Sequence, residues 1–233
     1  MMLLVKFPTR GRPRKFIETF KKYIDMADDQ TNLFFMITLD TDDATVTMDF
    51  IDEIAKMHPN VRIDVGTSGS KIRAVNRDMQ TAPYFDILLL ASDDMIPIVK
   101  GYDTIIRKNM PSNTDGVLWF NDGHQGNTLN TLCILGRAYY NRFGYIYHPS
   151  YITAWCDNEF TCVAHMLGKQ IYFNQVIIEH QHPDFGLAIR DNTYIQNDNG
   201  ISTDKETFNR RKKAMFDLKL GVASLPKVSI RIK

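Results

Sequence analysis

The sequence predicts an α/β fold, a mainly parallel sheet with helices on both faces, built as a single domain. Two observations predict it. Short apolar runs alternate with segments whose apolar residues recur at helical spacing, from residue 2 to about residue 110. Polar and charged residues collect just after those runs, where the carboxyl ends of parallel strands border a binding crevice.

Each element follows from its local pattern. A first strand is expected at about 2 to 7, then the loop PTRGRP, then a helix at about 14 to 25 with Phe16, Phe20 and Ile24 on one face. NLFFMITLD reads as a buried strand ending at Asp40. A second helix groups Val46, Phe50, Ile54 and Met57, and VRIDVG is the third strand. A helix through KIRAVNRDMQTA leads to DILLLASDDMIP, residues 86 to 97, the fourth strand. Beyond about residue 111 the rhythm changes: GVLWF is a short strand and NDGHQGNTLN a polar loop whose glycines would permit closure over a ligand. TLCILGRAYYNRFG enters a helix, DNEFTCVAHMLGK is a helix closed by Gly168, and QIYFNQVIIEHQHP is a strand. Residues 1–204 form one domain of two halves, 1–110 and 111–204, with 205–233 a basic helix and tail.

Composition narrows the function classes. No apolar run approaches the roughly 18 to 20 residues that cross a bilayer, so no membrane span is expected. The N-terminal apolar run lacks the flanks of a secretion signal, and the expected compartment is the cytoplasm, the host's if the chain is viral. Cys133, Cys156 and Cys162 form no CxxC pair, and their odd number argues against a disulfide framework. The net charge of +1 is uneven: residues 205 to 233 hold nine Lys or Arg against two acids. Such a segment suits phosphates or acidic lipid headgroups, or is simply a solvated terminal helix and a loose end.

Asp93 and Asp94 carry the chemical argument. A desolvated, unpaired carboxylate costs several kcal/mol, so two acids closing an apolar run lie in water or against positive charge. Hard oxygen ligands at this place suit Mg²⁺ or Mn²⁺ on a diphosphate; an ordinary solvated turn also fits. His180 and His182, two apart on a strand, leave the same face. Trp119, Tyr151 and Trp155 are aromatic platforms on which a sugar or base can stack, with core packing the simpler reading of Trp119.

The strand-end acidic pair, the opening PTRGRP loop, the aspartate ending the second strand and the later acidic helix start together resemble the nucleotide-sugar glycosyltransferases of GT-A fold. Glycosyltransferase family 2 is the closest pattern. The resemblance covers about residues 3 to 182 and rests on order and spacing. It implies a Rossmann-like nucleotide-binding half, 1–110, and an acceptor half, 111–204. By the resemblance, Thr9, Arg10 and Arg12 form the first nucleotide-binding loop, and Asp40 holds the base. Lys71, Arg73 and Asn76 approach ribose and diphosphate, although Arg73 and Arg77, at helical spacing, also suit solvent. Asp94 is the metal-bound residue of a DxD motif, here Ser92-Asp93-Asp94, whose missing first acid shifts the ribose contact to Asp93. His182 or His180 completes the site for Mn²⁺ or Mg²⁺. Asp157 is the catalytic base, with Glu159 the second candidate; Asp157 equally suits a helix N-cap. Trp155 and Asp122 lie on the acceptor side.

The implied reaction moves a single hexose or pentose from a nucleotide diphosphate donor to an acceptor hydroxyl with inversion. No QxxRW signature of the processive members is present. The acceptor is a glycan or, as in phage-type members, a modified base in DNA held by the basic tail. Two alternatives remain: a nucleotidyltransferase, for which PTRGRPRK is poor in glycine, and a non-catalytic nucleic-acid-binding module.

Overall fold

The computed structural model of the chain describes residues 1–181, 186 and 200–218. The first half is laid down as β1 (Leu3–Pro8), α1 (Pro13–Asp25), β2 (Leu33–Asp40), α2 (Met48–Met57), β3 (Val61–Gly66), α3 (Lys71–Asn76) and β4 (Ile87–Leu90). Then follow β5 (Met95–Pro97), α4 (Tyr102–Asn109), β6 (Val117–Phe120), β7 (Ile134–Gly136), α5 (Arg137–Phe143), α6 (Cys156–Met166), β8 (Gln170–Phe173), β9 (Ile178–His180) and α7 (Ile201–Lys213).

Seven strands form one sheet in the order β3-β2-β1-β4-β7-β6-β8. Strands β1 to β4 are mutually parallel, and β7 runs antiparallel to both β4 and β6. The period-2 alternation of strands divides the core. Leu3, Val5 and Phe7 face Phe16, Phe20 and Tyr23 of α1, whereas Leu4, Met36 and Leu88 face Ile72 and Val75 of α3 together with α5 and α6. Helices therefore cover both faces, as the sequence predicts. Local chemistry sets the helix starts: Pro13 opens α1, while the Thr47 and Ser70 side chains accept the N–H groups of Phe50 and Arg73.

Four expectations are corrected. The helix expected through residue 82 ends at Asn76, because Arg77 turns out of it and Asp78 takes a left-handed φ of 66°. The fourth strand is not continuous to residue 97; it leaves the sheet after Leu90, and Met95–Pro97 pairs antiparallel with β9 in a separate two-stranded sheet. For the same reason QIYFNQVIIEHQHP is two strands, one extending the main sheet beside β6 and one covering β5. Finally, the expected boundary at residue 204 falls inside α7, which buries Asp204, Phe208 and Arg211 against the body of the fold. No described helix is long and apolar enough to cross a membrane.

Candidate active site

The two aspartates separate at the end of β4. The Ala91 N–H donates to the Lys6 carbonyl at 2.8 Å, the last rung beside β1, and the Met95 N–H closes a turn on the Ser92 carbonyl at 3.1 Å. Asp93 points to the first loop, where Arg12 Nη1 donates to Oδ1 at 2.9 Å and Lys15 Nζ lies at 3.9 Å. Burial raises the Asp93 carboxyl pKa, Arg12 opposes the rise and Asp94 adds to it. Asp94 points the other way, accepting the Ser92 hydroxyl. The β5–β9 pairing sets Met95 opposite His180 and so brings the imidazole to Asp94. Nε2 lies 3.8 Å from Asp94 Oδ2, and Nδ1 lies 3.7 Å from Asp122 Oδ2. Burial favours the neutral ring, but the two carboxylates outweigh it and lift the His180 pKa to about 9. His182 lies outside the described residues.

Asp122 was expected on the acceptor side and is instead enclosed, with 1% of its surface exposed. Oδ1 accepts the N–H groups of His124 and Gln125, and Oδ2 accepts the Thr131 hydroxyl. Burial pushes this carboxyl up, yet those bonds and His180 hold it well below the usual range. Asp122 thus pins the glycine-containing loop and flanks His180. Among the described residues no group of three His, Cys, Asp or Glu is arranged as a metal cage. An ion shared with a diphosphate needs only one or two protein ligands; Asp94 offers the oxygen donor that Mn²⁺ or Mg²⁺ takes, whereas His180, kept protonated by its two carboxylates, would have to give up its proton before a ring nitrogen could join.

At the end of β2, Asp40 lies between two guanidinium groups. Arg10 Nη1 donates to Oδ2 at 3.1 Å and Arg77 Nη1 to Oδ1 at 3.0 Å. Arg10 also grips Asp42 at 2.5 and 3.0 Å, and the Gly11 N–H donates to Asp43 at 2.7 Å, which ties the first loop to the end of β2. The Thr9 N–H extends the β1 ladder to the Thr38 carbonyl at 3.1 Å. Arg77 does not face solvent: its guanidinium also reaches Ser68 Oγ at 2.7 Å and the Leu39 carbonyl at 2.6 Å. Sequence spacing missed this, since the helix ends before Arg77 and turns its side chain inward.

In the second half of the chain, Trp155 takes a left-handed φ of 60° directly before α6. Asp204 of α7 supports this strained turn, accepting the N–H groups of Ile152, Thr153 and Ala154 at 2.9, 2.7 and 2.8 Å. Asp157 is therefore not the N-cap but the second residue of α6, half-buried. Burial raises its carboxyl pKa, opposed by the Asn158 N–H and then by Lys71, with His180 a weaker opposing charge. Lys71 and Arg73 are exposed in the first turn of α3.

Other expected site residues make structural contacts instead. Glu159, buried on another face of α6, accepts Arg211 at 2.7 and 2.8 Å and the Tyr151 hydroxyl at 2.7 Å, so it serves the α6–α7 junction. Tyr151 is buried with it and is no acceptor platform. Asn76 accepts the Ile146 N–H at 2.8 Å and donates to the Tyr147 carbonyl at 2.7 Å, fixing a loop rather than a diphosphate. Trp155 packs on Phe208 with centroids 5.3 Å apart and lies under Lys205. Trp119 is in the core, edge-on to Tyr172. Asp204 and Arg211 escaped sequence reasoning because nothing local marks a tail residue as the partner of a loop some 50 positions away.

No family model matches the sequence, and no curated protein matches it. Solved structures do. The mannosyltransferase PcManGT from Pyrobaculum calidifontis, in complex with GDP-Man and Mn²⁺, superposes with a TM-score of 0.63 at 15% identity, covering 77% of this chain and 57% of that one. S. aureus TarS 1–349 in complex with UDP gives 0.62 at 13% identity, covering 95% and 76%. TarS 1–349 in complex with UDP-GlcNAc gives 0.61 at 12%, covering 88% and 66%. The chain thus spans little more than half the length of the mannosyltransferase. Its sheet order, its helices on both faces and these superpositions make its fold the GT-A fold.

Proposed function

We propose that the chain is a glycosyltransferase that moves one sugar from a nucleoside diphosphate donor to an acceptor hydroxyl with inversion. One observation carries the reading: on a fold shared with enzymes solved with GDP-Man and UDP-GlcNAc, β9 brings His180 to 3.8 Å from Asp94 at the end of β4. Asp94, joined by His180 once the ring gives up its proton or by His182 in its place, would hold Mn²⁺ or Mg²⁺, whose charge offsets that of the departing diphosphate. Arg10, Thr9 and Asp40 border the nucleoside. Arg12 holds Asp93, which keeps the first loop against the end of β4 rather than leaving Asp93 for the ribose.

The transfer is a displacement at the anomeric carbon. The acceptor oxygen forms the new bond as the bond to the diphosphate breaks, and Asp157 takes the acceptor's proton. A carboxylate whose pKa is raised by burial is a stronger base for this task than an exposed one. Lys71 and Arg73 add positive charge near the leaving group.

Thermal shift and calorimetry with nucleoside diphosphates and nucleotide sugars, with and without Mn²⁺, test the reading. Binding that needs Mn²⁺ and is lost in Asp94→Asn is expected. Equal binding by Asp94→Asn would remove this carboxylate from the site.

A further inference from the structure

An ammonium group lies inside the sheet, where the donor-site residues alone call for none. Lys6 sits in the middle of β1 on the same face as Leu4, a position where the strand's alternation demands an apolar side chain, and none of its surface is exposed. A buried ammonium needs partners for its donors. Nζ donates to the Thr38 hydroxyl and, at 2.8 Å, to the Arg77 carbonyl. Burial brings the Lys6 pKa down to about 8, with Asp78 and Asp64 opposing the fall.

Both partners adjoin Asp40. Thr38 lies two residues before it on β2, so the two side chains leave the same face. Arg77 follows α3, turned out of it, and its carbonyl is the one that accepts Lys6. With its backbone held there, the Arg77 guanidinium spreads over Asp40, Ser68, the Leu39 carbonyl and the Asp64 carbonyl. Each carboxylate oxygen has a second lone pair, so Asp40 can still accept a base N–H while both guanidinium groups hold it.

We infer that Lys6 is a positioning residue for the donor's nucleobase: by joining β2 at Thr38 to the end of α3 at Arg77, it holds Asp40 in one orientation and so sets which base is accepted. The inference rests on the reading of Asp40 as the base-contacting carboxylate. Lys6 itself touches no substrate; it acts through Arg77 and Thr38.

Lys6→Met keeps the stem and removes both donated bonds, and Thr38→Val removes one. Binding of uridine, cytidine, guanosine, adenosine and thymidine diphosphates, and of inorganic pyrophosphate, is measured by calorimetry with Mn²⁺. Lys6→Met is expected to weaken the preferred diphosphate by about tenfold and narrow its margin over the others, with pyrophosphate unchanged. Thr38→Val should move the same way by less. A folded Lys6→Met with wild-type selectivity overturns the inference. If Lys6→Met does not fold, wild-type selectivity in Thr38→Val overturns it. Asp40→Asn separates the two layers: unchanged base selectivity there defeats the reading of Asp40, whereas selectivity lost there but kept in Lys6→Met defeats only the role of Lys6. A wild-type chain that binds none of the diphosphates overturns both.

Discussion

Arg211 holds Glu159 through two hydrogen bonds, Nε to Oε2 at 2.7 Å and Nη2 to Oε1 at 2.8 Å, with both side chains buried. This pair makes α7 part of the fold. With Asp204 on the same helix holding residues 152 to 154, it fixes the start of α6 and therefore Asp157.

Removing one member of a buried ion pair leaves an uncompensated charge, at a cost of about 3–5 kcal/mol, more than the pair itself contributes. Arg211→Met is expected to lower the urea midpoint accordingly, and adding Glu159→Met should recover a large part of the loss. Simple addition of the two single effects would show that the groups act independently.

Asp204→Asn leaves a single acceptor oxygen for three N–H groups. A loss of about 1–3 kcal/mol in unfolding free energy is expected, since at least one buried donor goes unsatisfied. Donor hydrolysis should slow while nucleoside diphosphate affinity stays at the wild-type value, because the clamp acts on the loop before Asp157. Equal hydrolysis rates in a folded Asp204→Asn would detach the clamp from the chemistry.

Asp157→Asn is expected to reduce turnover by a factor of about 10² to 10⁴ with donor affinity retained. The base acts only when ionised, and burial raises its pKa. Wild-type turnover should therefore fall on acidification at a higher pH than for an ordinary aspartate. A pH profile of the variant that keeps the same acid limb would assign that limb to another group.

Lys6 predicts a pH dependence of stability. Its folded pKa of about 8 lies below the ordinary 10.5, so between those values the unfolded chain binds more protons than the folded one. The penalty for burying the ammonium is complete below pH 8 and disappears as pH rises towards 10.5, an interval worth about 3 kcal/mol. Urea midpoints of wild type compared with Lys6→Met should show the wild type gaining over this window; a constant difference would mean that Lys6 does not titrate there.

The sequence by itself determined what depends on neighbours along the chain. VRIDVG is a strand at the residues expected and Asp40 ends β2, because side-chain period is a local property. Charged residues inside apolar runs were visible too, yet Lys6 drew no notice, since a strand's pattern does not reveal what lies beneath it. Only the tertiary structure decided the partners: Arg12 with Asp93, His180 between Asp94 and Asp122, Arg77 on Asp40, Arg211 on Glu159. Arg12 meets Asp93 and Arg77 meets Asp40 through the strand order, His180 is placed by the β5–β9 pairing, and Arg211 reaches Glu159 through the packing of α7 on α6. A carboxylate's role follows from the charge packed against it, and for these residues that charge comes from a distant part of the chain.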